Sequence, residues 1–160
     1  MQKIATFLWY DDKAEEAANF YVSLFRNSKI GRISRYSDAG QEVHGRAAGS
    51  VMVVTFELDG REFMALNGGP HFKFNESVSL RVNCETQAEV DALWEKLSAG
   101  GEKSQCGWLK DKYGLSWQIV PTVLDEMMAD KDTQKAARVM TVMLQMQKLD
   151  IAKLEQAYGG

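Results

Sequence analysis

A chain of 160 residues, 45% hydrophobic and 26% charged, carries enough apolar material for a folded core and is unlike a disordered or fibrous protein. Its formal net charge of −3, with lysines and arginines scattered along it, excludes the basic stripe of a nucleic-acid binder, and no run of about 20 apolar residues exists to cross a membrane. Cys84 and Cys106 show no zinc spacing; with an N-terminus, MQKIATFLWYDDK, that lacks a secretory core, they are expected to be reduced in a cytoplasmic protein.

Residues 3–10 alternate as a strand, and Asp12 with Glu15 three residues later reads as the start of a helix. Ala14, Ala17, Ala18, Tyr21, Leu24 and Phe25 fall on one face of it. KIGRISRYS reads as a second strand and 38–49 as a polar loop. VMVVTFELDG and REFMALNGG then form a hairpin around the two-residue signal Asp59-Gly60. The turn-rich stretch NGGPHFKFNE leads to VSLRVNC and a helix capped by Thr86 with Glu89. Val90, Leu93, Trp94 and Leu97 form its apolar stripe, and Gly100-Gly101 stops it. Strands are expected near 102–109 and 115–120. Beyond Pro121 the pattern predicts helices over 122–129, 133–147 and 151–157, with Asp132 and Asp150 as caps and Met127, Met128, Met140, Met143 and Met146 along their faces.

One structural sentence is therefore written twice: an alternating strand, an amphipathic helix, then strands that close on DGREFMALNG or KYGLSWQIVP. The expectation is an α+β fold of paired βαβββ modules with a helical C-terminal extension. The modules fall at 1–69 and 75–121, with a tail at 122–160, within one domain whose two sheets meet around a concavity.

Strand alternation sorts the candidate site. Val78, Leu80 and Val82 should pack under a helix, leaving Ser77, Ser79 and Arg81 on the open side; Trp117 and Ile119 likewise leave Ser116 and Gln118. By analogy within the repeat, Thr6, Leu8 and Tyr10 turn inward from the first strand, and Glu62, Met64 and Leu66 from the fourth. Polar side chains facing inward are costly unless partnered. They are read as a ligand-binding set of Thr6, Tyr10, Glu62, Met64, Ser77, Ser79, Arg81, Trp108 and Gln118. Arg81 suggests an acidic group on the ligand, unless Glu62 neutralises it. Cys84 reads as a half-buried spacer, and Cys106 lacks an activating histidine. His44 and His71 lie in loops, where a ligand role would need company such as Glu42 or Glu76.

The segments MALNGGPHFKFNESVSLRVNC, GWLKDKYGLSWQIVP and RVMTVMLQMQKLDIAKLEQAYGG resemble the PhnB-like subfamily of the vicinal oxygen chelate superfamily. That subfamily carries the label 3-demethylubiquinone-9 3-methyltransferase; the superfamily includes glyoxalase I, extradiol dioxygenases and bleomycin-resistance proteins. The resemblance covers essentially the whole chain and implies the cupped fold and a homodimer. It also implies a divalent-metal site at Thr6, Met64, Ser77 and Gln118. A thioether, an amide and two hydroxyls are a poor set for zinc, nickel or iron, so no metal and no cofactor are expected. The resulting expectation is a small-molecule-binding protein without the usual catalytic metal. The alternatives are a glyoxalase- or dioxygenase-like enzyme with atypical ligands, using groups such as Glu62 and Tyr10, or the methyltransferase of the family label.

Overall fold

The computed structural model describes residues 2–160. It divides after Lys73 into two compact units. The first contains β1 (Thr6–Tyr10), α1 (Ala14–Leu24), β2 (Lys29–Arg35), the single turn α2 (Gln41–His44), β3 (Val51–Leu58) and β4 (Arg61–Asn67). The second contains β5 (Ser79–Cys84), α3 (Gln87–Ser98), β6 (Glu102–Lys103), β7 (Trp108–Lys110) and β8 (Ser116–Pro121). It continues into α4 (Thr122–Met128), α5 (Thr133–Met143) and α6 (Ile151–Gly159). Among the described residues no helix is long and apolar enough to cross a membrane.

The repeat is explicit in the topology. The sheets run β1-β4-β3-β2 and β5-β8-β7-β6, and in each the strand before the helix pairs parallel with the last strand of its module. The remaining pairs are antiparallel. In the first unit the core lies between α1 and one side of the sheet. Ala14, Ala17, Ala18 and Tyr21 are buried there with Leu8, Tyr10, Val54, Phe56, Phe63 and Ala65. Three alanines let the helix approach the strands closely, and Phe56 stacks on Phe63 with ring centroids 5.4 Å apart. In the second unit Val90, Leu93, Trp94 and Leu97 of α3 cover Leu109, Trp117 and Ile119. Each sheet thus has one side under its helix and one without it.

The β3–β4 hairpin closes through Asp59 (φ 48°) and Gly60 (φ 77°), the paired left-handed geometry of a type I′ turn. Gly68, just past β4, lies under the Trp9 ring: a Cβ there would stand 2.3 Å from the indole. The helix starts differ. Thr86 Oγ1 accepts from the Glu89 amide at 3.2 Å, as the sequence predicts, while the Glu89 carboxylate accepts from the Glu85 amide, one residue earlier than a reciprocal box requires. Asp12 does not cap α1. The Asn67 Oδ1 of β4 accepts from the Ala14 amide at 2.8 Å instead, so a strand caps the helix that packs on it.

The tail is built into the second unit. Asp132 accepts from the Gln134 and Lys135 amides, and Asp150 accepts from the Lys153 amide, as expected. Helix α5 stops at Met143, short of the predicted 147. Val120 of β8 joins Leu124, Met127, Val139, Leu149 and Leu154 in one apolar cluster, with Met128, Met143 and Met146 against it. The methionine faces are therefore core of the tail, with Met140 left exposed. The amides of Cys106 and Gly107 donate to the Met146 and Gln147 carbonyls, and the Gln87 side chain holds both the Leu149 carbonyl and the Ile151 amide.

Candidate functional site

The two open sides have opposite characters. In the first sheet β1 pairs Phe7 with Met64 and Trp9 with Leu66, and β3 adds Val53 and Thr55 in the same rows. Phe7 is 54% exposed there. Trp9 packs edge-on against Phe72 at 4.9 Å, and its Nε1 donates to the Gly69 carbonyl at 2.9 Å. This side is apolar and aromatic.

The side assignment of β1 is corrected accordingly. Thr6 pairs with the buried Phe63, and Tyr10 with Asn67, so both lie on the row set under α1. Tyr10 is 4% exposed and its hydroxyl donates to the Tyr21 hydroxyl at 3.1 Å. It is a core tyrosine satisfied by another, not an acid–base group. Glu62 and Met64 do lie on the open side, where Glu62 neighbours Glu57 across the β3–β4 pair.

In the second sheet the open side is polar. Ser79 pairs with Ser116, Arg81 with Gln118, and Gln118 in turn with Trp108. Gln118 Nε2 donates to Ser79 Oγ at 2.9 Å. Arg81 finds its counter-charge within the second unit: its Nη2 bonds Asp125 of α4, and its Nε donates to Asn83 Oδ1 at 3.0 Å. The appended helix thus supplies the counter-charge of the residue read as an anion hook. Ser77 is also corrected. It lies in a turn before β5, where Asn75 Oδ1 accepts from both its amide and its hydroxyl, and it is exposed. Val78 does not pack under a helix either, being one of the exposed large hydrophobics.

A cavity of about 150 Å³ lies on this side, lined by Glu76, Glu102, Ser104, Trp108, Lys110 and Ser116 with Leu109. Lys110 bonds Glu76 across it. That hydrogen bond holds the Glu76 carboxyl below its ordinary 4.5 and Lys110 above its ordinary 10.5, so both are charged through the neutral range. Below the sheet, Asp111 at the β7–β8 turn is 2% exposed and accepts from the Tyr113 and Leu115 amides and from Trp117 Nε1. This residue was missed in the sequence because its partners are mostly backbone.

Other reactive groups are spoken for. Cys84 is fully buried rather than half-buried, and desolvation pushes its thiol up to about 12. The His44 ring uses both nitrogens locally, Nδ1 accepting from the Arg46 amide and Nε2 bonding the Ala39 carbonyl.

Two four-stranded mixed sheets of this repeated topology define the vicinal oxygen chelate fold. The fosfomycin resistance protein FosX of Listeria monocytogenes shares it with a TM-score of 0.54 at 14% identity, over 81% of this chain and 98% of its own. The Pseudomonas aeruginosa protein PA1353 does so with a TM-score of 0.61 at 17% identity, over 76% and 98%. Within that superfamily the chain belongs to the 3-demethylubiquinone-9 3-methyltransferase (PhnB-like) family, whose model matches residues 2–120. The PhnB protein of Bacillus cereus, provisionally assigned as such a methyltransferase, is 42% identical with a TM-score of 0.68, over 76% of this chain and 100% of its own. No curated protein matches the chain. Helices α4–α6 lie beyond the stretch the family model matches.

The superfamily's usual metal is a poor fit to the residues present. Thr6 and Met64 lie on opposite sides of the first sheet, and Ser77 is spent in a turn. Correcting the β1 register brings Phe7 beside Met64, and a phenyl ring has no donor atom. Among the described residues no three His, Cys, Asp or Glu side chains group closely enough to hold a metal ion.

Proposed function

We propose that this chain binds a small organic molecule on the open side of its second sheet, without a transition metal at the superfamily's four positions, and that it does so as a homodimer. The observation that carries this reading is the polar row of Ser79, Arg81, Ser116 and Gln118 on the sheet side away from α3, with a cavity walled by Trp108. A concave site with a few convergent polar groups and an aromatic wall is the usual build of a small-molecule site. The dimer reading is supported by the apolar open side of the first sheet, where Phe7 and, nearby, Ile4 and Phe72 are exposed.

The methyltransferase named by the family finds less support in the residues. A nucleotide-like methyl donor is held by a glycine-rich strand-to-helix turn in the common arrangement. Of the four strand-to-helix junctions here, β1–α1, β5–α3 and β8–α4 contain no glycine, and β2–α2 contains the single Gly40 before a one-turn helix, so none is glycine-rich.

The test is a library of small organic molecules screened by amide NMR, with metal content measured on untagged protein. Binders that perturb residues 79–81 and 116–118, in protein without stoichiometric zinc, iron, nickel or manganese, are the expected result. Binders that map only elsewhere, or a retained metal needed for binding, would overturn the reading.

A further inference from the structure

A residue with an unpartnered hydroxyl stands in the wall of the cavity beside β7. Ser116 lines it and is 1% exposed. Among the described residues its Oγ is the buried side-chain oxygen with no hydrogen-bond partner. A buried hydroxyl that has lost its water partners and gained no other is destabilising. Its neighbour in the row, Ser79, shows the contrast, because Gln118 satisfies that hydroxyl.

The charges around Ser116 select what could satisfy it. Two carboxylates, Glu76 and Glu102, line the cavity against one ammonium, that of Lys110. Lys110 bonds Glu76 and faces Glu102 across the β6–β7 pair, so its charge is met from two sides. Arg81, the other cation of this sheet side, bonds Asp125. An incoming anion would meet an excess of negative charge and cations already engaged. An incoming cation would meet the reverse, together with the indole of Trp108, the ring type that best attracts a cation. The volume, about 150 Å³, matches that of an engineered cavity known to admit benzene.

We propose that this cavity binds a small organic ammonium of about the size of one ring, which donates an N–H to Ser116 Oγ, lies against Trp108, and has its charge balanced by Glu102. The proposal rests on the reading of the second sheet's open side as the ligand surface and replaces the anionic ligand that Arg81 suggests from sequence. It is a statement of ligand class and needs no covalent step.

Three probes of matched size separate the possibilities: benzylamine, benzyl alcohol and benzoate, titrated by amide and indole NMR into the wild-type protein, Ser116→Ala and Glu102→Gln. Benzylamine is expected to bind most tightly and to shift Trp108 Nε1–H and the Ser116 amide, with benzoate weakest. Ser116→Ala is expected to weaken benzylamine about tenfold, the worth of one charge-assisted hydrogen bond. It should leave the melting temperature unchanged or higher, since it removes an unpaired hydroxyl. Glu102→Gln, at an exposed position, is expected to weaken benzylamine and spare benzyl alcohol, and it keeps the test decisive if Ser116→Ala folds poorly. Benzoate binding as tightly as benzylamine at these residues, or amine binding indifferent to Glu102, overturns the ammonium class. If the three probes leave Ser116 and Trp108 unmoved while other library molecules bind at 79–81 and 116–118, the inference fails and the ligand surface stands. If nothing binds there at all, both fall together.

Discussion

The two units fold the same topology and present opposite surfaces. Under α1 and α3 both sheets are packed with aliphatic and aromatic side chains, and the rows there are interchangeable in kind. On the other side the first sheet shows Phe7, Trp9, Met64 and Leu66, and the second shows Ser79, Arg81, Ser116 and Gln118. Topology is set by the covered sides, so the uncovered sides were free to diverge. A fold made by repetition thereby acquires one apolar face suited to association and one polar face suited to recognition.

That division can be attacked from the core outward. The largest effect is expected at Asp111, whose carboxylate collects two amides and the Trp117 indole N–H in the second unit. Asp111→Ala should cost about 3 kcal/mol, read from urea unfolding, because three donors, two of them on buried residues, lose their acceptor together. A loss below about 1 kcal/mol would mean the turn reorganises freely. The first unit has a smaller tie of the same kind: Asn67 accepts from Ala14 and donates to Val51. Asn67→Ala should cost about 2 kcal/mol, part of it as a lost helix cap.

The open sides should respond in the other order, with little stability and much function at stake. Phe7→Glu is expected to abolish the proposed homodimer in sedimentation and to lower stability only by what dimer formation contributes, since Phe7 is exposed in the single chain. An unchanged oligomeric state would remove the first sheet's open side from the dimer reading. Asp125→Asn, at an exposed ion pair, should cost less than about 1 kcal/mol yet free Arg81 for benzoate. The smallest effect is a titration. Because Glu76 is lowered, its bond to Lys110 is complete above 4.5 and is lost as pH falls through the lower folded value. Because Lys110 is raised, the same bond is complete below 10.5 and is lost as pH rises through the higher folded value. Carboxyl-detected NMR should place the Glu76 midpoint below 4.5, and Lys110→Met should raise it toward the ordinary value, with the backbone hydrogen bond to Glu76 still holding it down in part.

Much of this was legible in the sequence, for identifiable reasons. The helix stripes, the Asp59-Gly60 turn, the caps at Thr86, Asp132 and Asp150 and the repeat are local signals, each decided within a few residues. The second sheet's faces were also readable, since serine, arginine and glutamine alternate there with leucine, valine and tryptophan. In β1 both sides are apolar or aromatic, so alternation offered no contrast, and the tyrosine hydroxyl suggested the wrong side. Tyr21, which satisfies it, lies eleven residues on, across the helix. Ser77 was misplaced because the Asn75 side chain competes for its backbone and delays the strand. Asn67 on Ala14 and Asp125 on Arg81 are contacts between distant segments, and no local pattern announces them.

The four tryptophans are distributed so that the protein carries its own optical labels. Trp94 and Trp117 are sealed in the second unit's core, while Trp9 and Trp108 lie one on each open sheet side. Acrylamide will quench the second pair and spare the first. A Trp9→Phe background leaves Trp108 as the dominant quenchable emitter, so its wavelength and lifetime become a direct signal of what enters the cavity beside β7. Conversely, Trp108→Phe leaves Trp9 to report whether a second copy covers the aromatic face. One chain therefore offers two independent spectroscopic channels, one for each of its surfaces, without any dye attached.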